Sequence, residues 1–193
     1  MDFRKHTPHR RENPSHINKA SEAKKELRED FHQRCGYCDD HDYFRQTYYE
    51  VDHFVPKTIL KSISDTAYSN LVYACRSCNN AKRNSWPTAD ENIHNDGISG
   101  FIDPCSDNYA KQFARTPDGS IIPITELGEW MWSTLRLYHP SHHIIRQLEH
   151  LKTNLKILIE NTADNNPDAN RQIREIAEMY MKYEEELRET PVF

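Results

Sequence analysis

Two pairs of cysteines constrain the fold of this chain more than any other feature. Cys35 and Cys38 form one CxxC pair, Cys75 and Cys78 form another, and 36 residues separate Cys38 from Cys75. Each pair can place two thiolates on one tetrahedral ion, so the pattern predicts a closed structural Zn²⁺ site with four sulfur ligands. Four free core cysteines, or a redox pair, are the alternatives. The remaining cysteine, Cys105, is predicted to be a buried free thiol.

Length and composition bound the class of protein. The 193 residues allow one domain of ordinary size plus an extension, with ample room for a buried core. Charged residues make up 28% of the chain and the mean hydropathy is -0.92. No apolar run approaches the roughly 18 to 20 residues of a membrane helix, and the first residues lack the apolar core of a signal peptide. We therefore expect a cytoplasmic protein with no membrane segment.

The charge is unevenly distributed along the chain. The net charge of -5 argues against a protein that binds nucleic acid by bulk attraction. Residues 1–34 hold nine basic and six acidic side chains (net +3), whereas residues 87–140 hold three and eight (net -5) and residues 141–193 hold seven and ten (net -3). A DNA partner would therefore need a local basic patch, and the acidic C-terminal half should face away from DNA or face another protein.

Composition and periodicity divide the chain into four segments. These are a flexible basic arm (1–16), a zinc-bearing core (17–86), a hairpin-plus-helix extension (87–140) and a helical hairpin (141–193). Within the core, helix formers with apolar residues at helical spacing predict a helix over 18–34. Aromatic and β-branched residues predict strands over 47–55 and 70–74, and the second CxxC pair leads into a short helix over 75–84.

The C-terminal half has the periodicity of helices. A turn signal at 117–119 predicts a β-hairpin, and Thr125 can cap the helix that follows it. Apolar residues then step by four and three residues, which is a heptad seam; they are Ile144, Leu148, Leu151, Leu155 and Leu158. A turn at 165–168 separates this helix from a second one, so an antiparallel helical hairpin is expected. The apolar residues of this half either form a second small core or leave a docking surface.

Three segments carry a more specific signal: CGYC at 35–38, EVDHFVP at 50–56 and NLVYACRSCNNAK at 70–82. In content and order they resemble the HNH endonucleases with the ββα-metal fold, in the branch braced by a four-cysteine zinc, and Asn79 makes the chain an HNN variant. The resemblance covers about residues 35–84. It implies an α+β fold with an HNH nuclease core at 17–86, an N-terminal helix and a mostly helical C-terminal extension, and it implies metal-dependent hydrolysis of DNA.

The resemblance also implies roles for individual residues. His53 would be the general base, because neutral imidazole can accept a proton near neutral pH. Asp52 and the side-chain oxygen of Asn79 would hold one hard divalent ion, Mg²⁺ or Mn²⁺, and an amide oxygen favours Mg²⁺. Asn80 is a competing ligand, about 100° further round the helix. Regular strand alternation would direct Asp52 and His53 to opposite faces, so a shared site requires a twist at the strand end.

Three further residues have two interpretations each. Asn70 matches the middle Asn of the motif and would orient His53, or it is a turn asparagine. Lys82 lies one helical turn after Asn79 and could contact the phosphate, or it is a solvated helix lysine. Glu50 lies on the same strand face as Asp52 and would at most support the site.

Residues after 86 resemble the C-terminal extension of free-standing bacterial HNH proteins from phage-defence operons, of the Septu and retron-associated types. This resemblance implies a defence or restriction effector whose C-terminal helices dock onto a partner protein such as an ATPase. Cutting both strands with one active site per chain would be simplest for a homodimer. The alternative function is a catalytically silent, zinc-braced nucleic-acid-binding or adaptor module that acts through the helical hairpin.

Overall fold

The computed structural model describes residues 1–45, 48–161 and 166–191. Its helices are α1 (Lys24–Asp30), α2 (Arg76–Lys82), α3 (Asp107–Ala110), α4 (Glu126–Thr134), α5 (Pro140–Asn161) and α6 (Pro167–Glu189). Its strands are β1 (Tyr49–His53), β2 (Leu71–Cys75), β3 (Phe113–Arg115) and β4 (Ile121–Pro123). The predicted α+β class, with a cysteine cluster and a C-terminal helical hairpin, is confirmed. Within the described ranges, no helix is both long enough and apolar enough to cross a membrane.

A small antiparallel hairpin followed by a helix forms the centre of the molecule. In β1 and β2, Tyr49 pairs with Cys75 and His53 pairs with Leu71. All five residues of β2 are buried, as expected for a continuous apolar run covered on both faces. At the end of β2 the Cys75 sulfur accepts a hydrogen bond from the Cys78 backbone N–H, and this contact caps α2. The strands lie within two residues of their predicted positions, although Thr47 falls outside the described residues.

The first sixteen residues pack against this centre, which differs from the flexible basic arm predicted for 1–16. Phe3 is only 2% exposed and its ring lies 5.2 Å from that of Phe113. Arg10 pairs with Asp103 at 2.8 Å and also donates to the Leu71 carbonyl. The absence of apolar periodicity shows only that the segment is not a regular helix or strand. It does not exclude anchoring by one aromatic ring and paired arginines.

The extension at 87–140 shares its core with residues 17–86. One cluster of buried apolar residues runs from Phe3 through the central hairpin to Leu137. Helix α4 begins where predicted, because the Thr125 hydroxyl accepts from the Gly128 N–H at 2.9 Å. A smaller second cluster does form, around Ile144, Leu148 and Leu187 of the helical hairpin. The boundary near residue 86 therefore does not separate two cores.

Helix α5 docks on the loop that carries the first cysteine pair. The His142 imidazole and the Asp40 carboxylate form a hydrogen bond, with 2.6 Å between Nδ1 and Oδ2, and both side chains are buried. Arg34 pairs with Glu149 at 2.7 Å. This buried contact fixes the start of α5 to the cysteine loop. The predicted turn at 165–168 lies partly outside the described residues, but Asn166 caps α6.

Candidate active site

Four cysteine sulfurs converge in the interior. All four cysteines are buried and their sulfurs lie within 4.8 Å of one another. The Cys38 and Cys75 sulfurs are 3.8 Å apart. A tetrahedral zinc with Zn–S bonds of about 2.3 Å requires sulfur–sulfur edges of about 3.8 Å. The donor set and its spacing therefore fit a closed structural zinc, and all four ligand positions belong to protein sulfurs.

Local backbone contacts explain why the two cysteine pairs meet. The Cys75 N–H donates to the Cys35 sulfur at 3.3 Å, which joins the end of β2 to the first cysteine loop. The Gly36 N–H donates to the Tyr73 carbonyl at 2.8 Å. A Cβ at Gly36 would come within 2.8 Å of the Phe31 ring, so only glycine allows this approach. Burial opposes ionisation of Cys35, but hydrogen bonds from the neighbouring thiols outweigh it and hold its pKa well below the usual value.

Asp52 faces the interior between β1 and α2. Its Oδ2 accepts a hydrogen bond from the Tyr37 hydroxyl at 2.5 Å and lies 2.9 Å from the Lys82 ammonium. The residue is 7% exposed. Burial raises the pKa of Asp52, and the nearby charge of Lys82 offsets part of that rise. Both described contacts use Oδ2, so they do not engage Oδ1.

Lys82 is enclosed within the protein. Its side chain is 0% exposed, and its ammonium donates to the His53 carbonyl at 2.8 Å as well as pairing with Asp52. Burial lowers the pKa of Lys82. The structure thus differs from both interpretations of Lys82, because a buried ammonium is neither a solvated surface group nor exposed to a phosphate. It ties α2 to the end of β1, where Asp52 and His53 adjoin.

Replacing Lys82 with methionine is expected to lower the free energy of unfolding by about 3 to 5 kcal/mol. The methionine keeps most of the apolar stem but leaves the Asp52 carboxylate buried without its cation, which is costly. Urea denaturation measures the change. The matched control is Lys25→Met, at an exposed position of α1, where a change within about 0.5 kcal/mol is expected. Equal stability of the two variants would contradict the buried pair.

Glu50 and Asn79 meet on the exposed side of the same interface. The Asn79 amide nitrogen donates to Glu50 Oε2 at 3.0 Å, and Arg76 pairs with Glu50 Oε1 at 2.7 Å. The side-chain nitrogen of Asn79 is therefore engaged, and its side-chain oxygen forms no hydrogen bond among the described residues. Among the described hydrogen bonds none links Asn79 directly to Asp52. Glu50 lines the groove with His53, whereas Asp52 faces the interior, and sequence reasoning had no signal that Glu50 contacts Asn79.

His53 lines an open groove instead of the packed interior. Its imidazole is half-buried, and Nε2 lies 2.7 Å from the Asp65 carbonyl oxygen. A carbonyl only accepts, so Nε2 carries the proton and the neutral ring presents Nδ1 as its basic atom. The groove has a volume of about 540 Å³. The two neighbouring residues of β1 thus direct Asp52 inward and His53 to the groove, as strand alternation predicts. The strand-end twist that a shared site requires is not seen in the described contacts, because no described hydrogen bond joins the two side chains.

Asn70 holds the segment that follows His53. Its side-chain oxygen accepts from the Val55 N–H at 2.8 Å, and its side-chain nitrogen donates to the Val55 carbonyl at 3.1 Å. The Asn70 carbonyl also accepts from the Phe54 N–H. This pair of amide contacts is more than a turn asparagine makes, and it fixes the backbone two residues beyond the imidazole.

Residues 35–85 match the family model of the HNH endonucleases. The match begins at the first cysteine and includes the central hairpin and α2, so it coincides with the cysteine cluster and the residues around His53. No curated protein and no solved structure matches the chain. This HNH segment indicates a nuclease that depends on a metal and takes a nucleic acid as substrate.

One contact within the HNH segment escaped sequence reasoning. Tyr37 sits between the first two cysteines and its hydroxyl reaches Asp52, a contact that no spacing rule predicts. In the sequence, the position of Tyr37 within CGYC was its sole distinguishing feature.

The fifth cysteine, Cys105, lies outside the HNH segment and is a half-buried free thiol. Burial raises its pKa to about 12, so it is not a nucleophile at neutral pH.

Proposed function

We propose that this protein is an endonuclease that hydrolyses DNA phosphodiester bonds with His53 as general base and one divalent ion held by Asp52 and Asn79. The observation that carries the proposal is the hydrogen bond of His53 and its position in the groove. Within a segment that matches HNH endonucleases, its imidazole lines an open groove and is held by the Asp65 carbonyl through Nε2, so Nδ1 is the ring atom left to act as a base.

The donor atoms around Asp52 suit a hard cation. The contacts of Asp52 to Tyr37 and Lys82 use Oδ2, and the contact of Asn79 to Glu50 uses its nitrogen, so none of these contacts occupies Asp52 Oδ1 or the Asn79 side-chain oxygen. Carboxylate and amide oxygens are ligands that Mg²⁺ and Mn²⁺ accept. When bound, such an ion neutralises charge on the phosphate and on the departing oxygen.

The side chains of the chain itself supply the other functions. Nδ1 of His53 takes a proton from the attacking water, and the Asp65 carbonyl stabilises the imidazolium that forms by accepting from Nε2–H. Asn70 and Lys82 keep the backbone around His53 in place through Val55 and the His53 carbonyl. The family resemblance implies products with 5′-phosphate and 3′-hydroxyl ends.

The test is cleavage of supercoiled plasmid by the purified protein. We expect nicked or linear product with Mg²⁺ or Mn²⁺ and none after EDTA. Asn79→Ala should raise the Mg²⁺ concentration for half-maximal cutting at least about tenfold, since even partners that merely orient a ligand are worth 10- to 100-fold in metal affinity. Asn80→Ala, its exposed neighbour, is the control. Equal metal requirements in the two variants would remove Asn79 from the site.

The biological setting is proposed from the resemblance alone. We propose a phage-defence or restriction effector whose acidic helical hairpin contacts a partner such as an ATPase, and a homodimer as the arrangement that cuts both strands. The competing function is a silent zinc-braced binding or adaptor module. DNA binding without cleavage in every metal would support that alternative.

A further inference from the structure

The groove at His53 has a second wall that lies outside the HNH segment. One side, the N-terminal wall, belongs to the segment that leads into α1 and is lined by residues 18–21 and Lys24. The other side, the β1 wall, is lined by Tyr49, Glu50, Val51 and His53. Lys57 and Asp65 close one end and pair with each other at 3.2 Å. The N-terminal segment and the proposed base therefore line the same groove.

The charges of the two walls differ. Lys19 and Lys24 line the groove, are exposed, and form no ion pair among the described residues. On the β1 wall, Glu50 is compensated by Arg76 and by the Asn79 amide. The uncompensated charge of the groove is thus the two ammonium groups of the N-terminal wall, which suits an anion.

The N-terminal wall is also rigid. Ala23 and Leu27 are 1% and 0% exposed and belong to the main core cluster. The Asn18 N–H donates to the Glu22 carboxylate at 2.9 Å, which fixes the start of the wall. Lysines presented from a fixed backbone lose less conformational freedom on binding than lysines on a loose arm.

We propose that Lys19 and Lys24 bind phosphates of the DNA strand next to the scissile bond, so that residues 18–24 form part of the substrate site. The inference rests on the proposed function, and it places substrate contacts on a segment beyond the family match at 35–85. Phosphate contacts by lysine position a strand without reading its bases. The groove therefore holds DNA in register with His53 without selecting a sequence.

Charge reversal of adjacent lysines provides the test. Lys24 lines the groove, whereas the next residue, Lys25, is exposed on α1 and does not. Fluorescence anisotropy with a labelled DNA oligonucleotide, with Ca²⁺ in place of Mg²⁺, measures binding across a salt series. Lys24→Glu should weaken binding about tenfold and reduce the slope of log K against log salt by about 1. Lys25→Glu should change neither quantity appreciably.

A small substrate separates this inference from the proposed function. Hydrolysis of bis(p-nitrophenyl) phosphate needs the base and the metal but no flanking phosphates, so it reports on the proposed function alone. Lys25→Glu, which does not line the groove, should keep the unmodified rate on it. Failure of the unmodified protein to hydrolyse any phosphodiester would contradict the proposed function. The binding data would still show whether Lys24 contacts DNA in the groove. Equal binding by the Lys24 and Lys25 variants, or no DNA binding by the unmodified protein, would overturn the inference.

Discussion

Replacing His53 with alanine is expected to lower the rate of DNA cleavage by about 10²- to 10⁴-fold, the usual contribution of a general base. The side chain is half-buried at the groove and its described hydrogen bond is to the Asp65 carbonyl, so its loss should cost only about 1 kcal/mol of stability. Single-turnover cleavage of plasmid DNA measures the rate, and metal analysis shows whether zinc is retained.

His143 offers a matched control for this substitution. It is a half-buried histidine whose Nδ1 lies 2.7 Å from a backbone carbonyl, that of Asp118, but it belongs to α5 and does not line the groove. His143→Ala should cleave at the unmodified rate. If His53→Ala cleaves as fast as His143→Ala, the proton is accepted by another group and the assignment of the base is wrong.

Replacing Cys75 with serine is expected to unfold the core at ordinary temperature. Structural zinc contributes an apparent free energy of about 10 to 16 kcal/mol, which equals or exceeds the whole stability of a typical domain. Cys75 is also the junction of the fold, since its N–H donates to the Cys35 sulfur and its own sulfur caps α2. Circular dichroism during heating, with zinc determined on the same sample, measures the loss.

Cys105→Ser is the control for that experiment. Cys105 is a half-buried free cysteine outside the quartet, so its replacement should leave zinc content unchanged and shift stability by no more than about 1 kcal/mol. A cooperative melt of Cys75→Ser near the temperature of the unmodified protein would show that zinc does not hold this core together.

The lysine at position 82 shows how burial can change the role of a recognisable motif residue. From its spacing alone it shares a helix face with Asn79 and could reach a phosphate. Folding encloses it between Asp52, the His53 carbonyl and the face of Phe101, whose ring centre lies 5.7 Å from the ammonium. Whether a lysine is solvated or enclosed depends on what packs over it, and residues after 86 supply that cover.

Some elements could be predicted from short stretches of sequence. The strands of the central hairpin, the cap at Thr125 and the heptad seam of α5 depend on neighbours within a few residues, so local patterns reveal them. The cysteine quartet was equally accessible, because two CxxC pairs can satisfy one tetrahedral ion only by meeting. Asn70 could be selected as a candidate because it matches the middle Asn of the motif, although its contacts with Val55 are seen in the structure alone.

What the amino-acid order determined by itself is the inventory of chemistry: four thiolates for zinc, a histidine beside an acid, and an amide after the last cysteine. The tertiary structure decided which of these groups face water. Packing of Phe3 and the Asp40–His142 pair join segments separated by about a hundred residues, and no local pattern encodes such pairings. The groove that admits a substrate to His53 exists only because residues 18–24 fold against β1, a contact between distant parts of the chain.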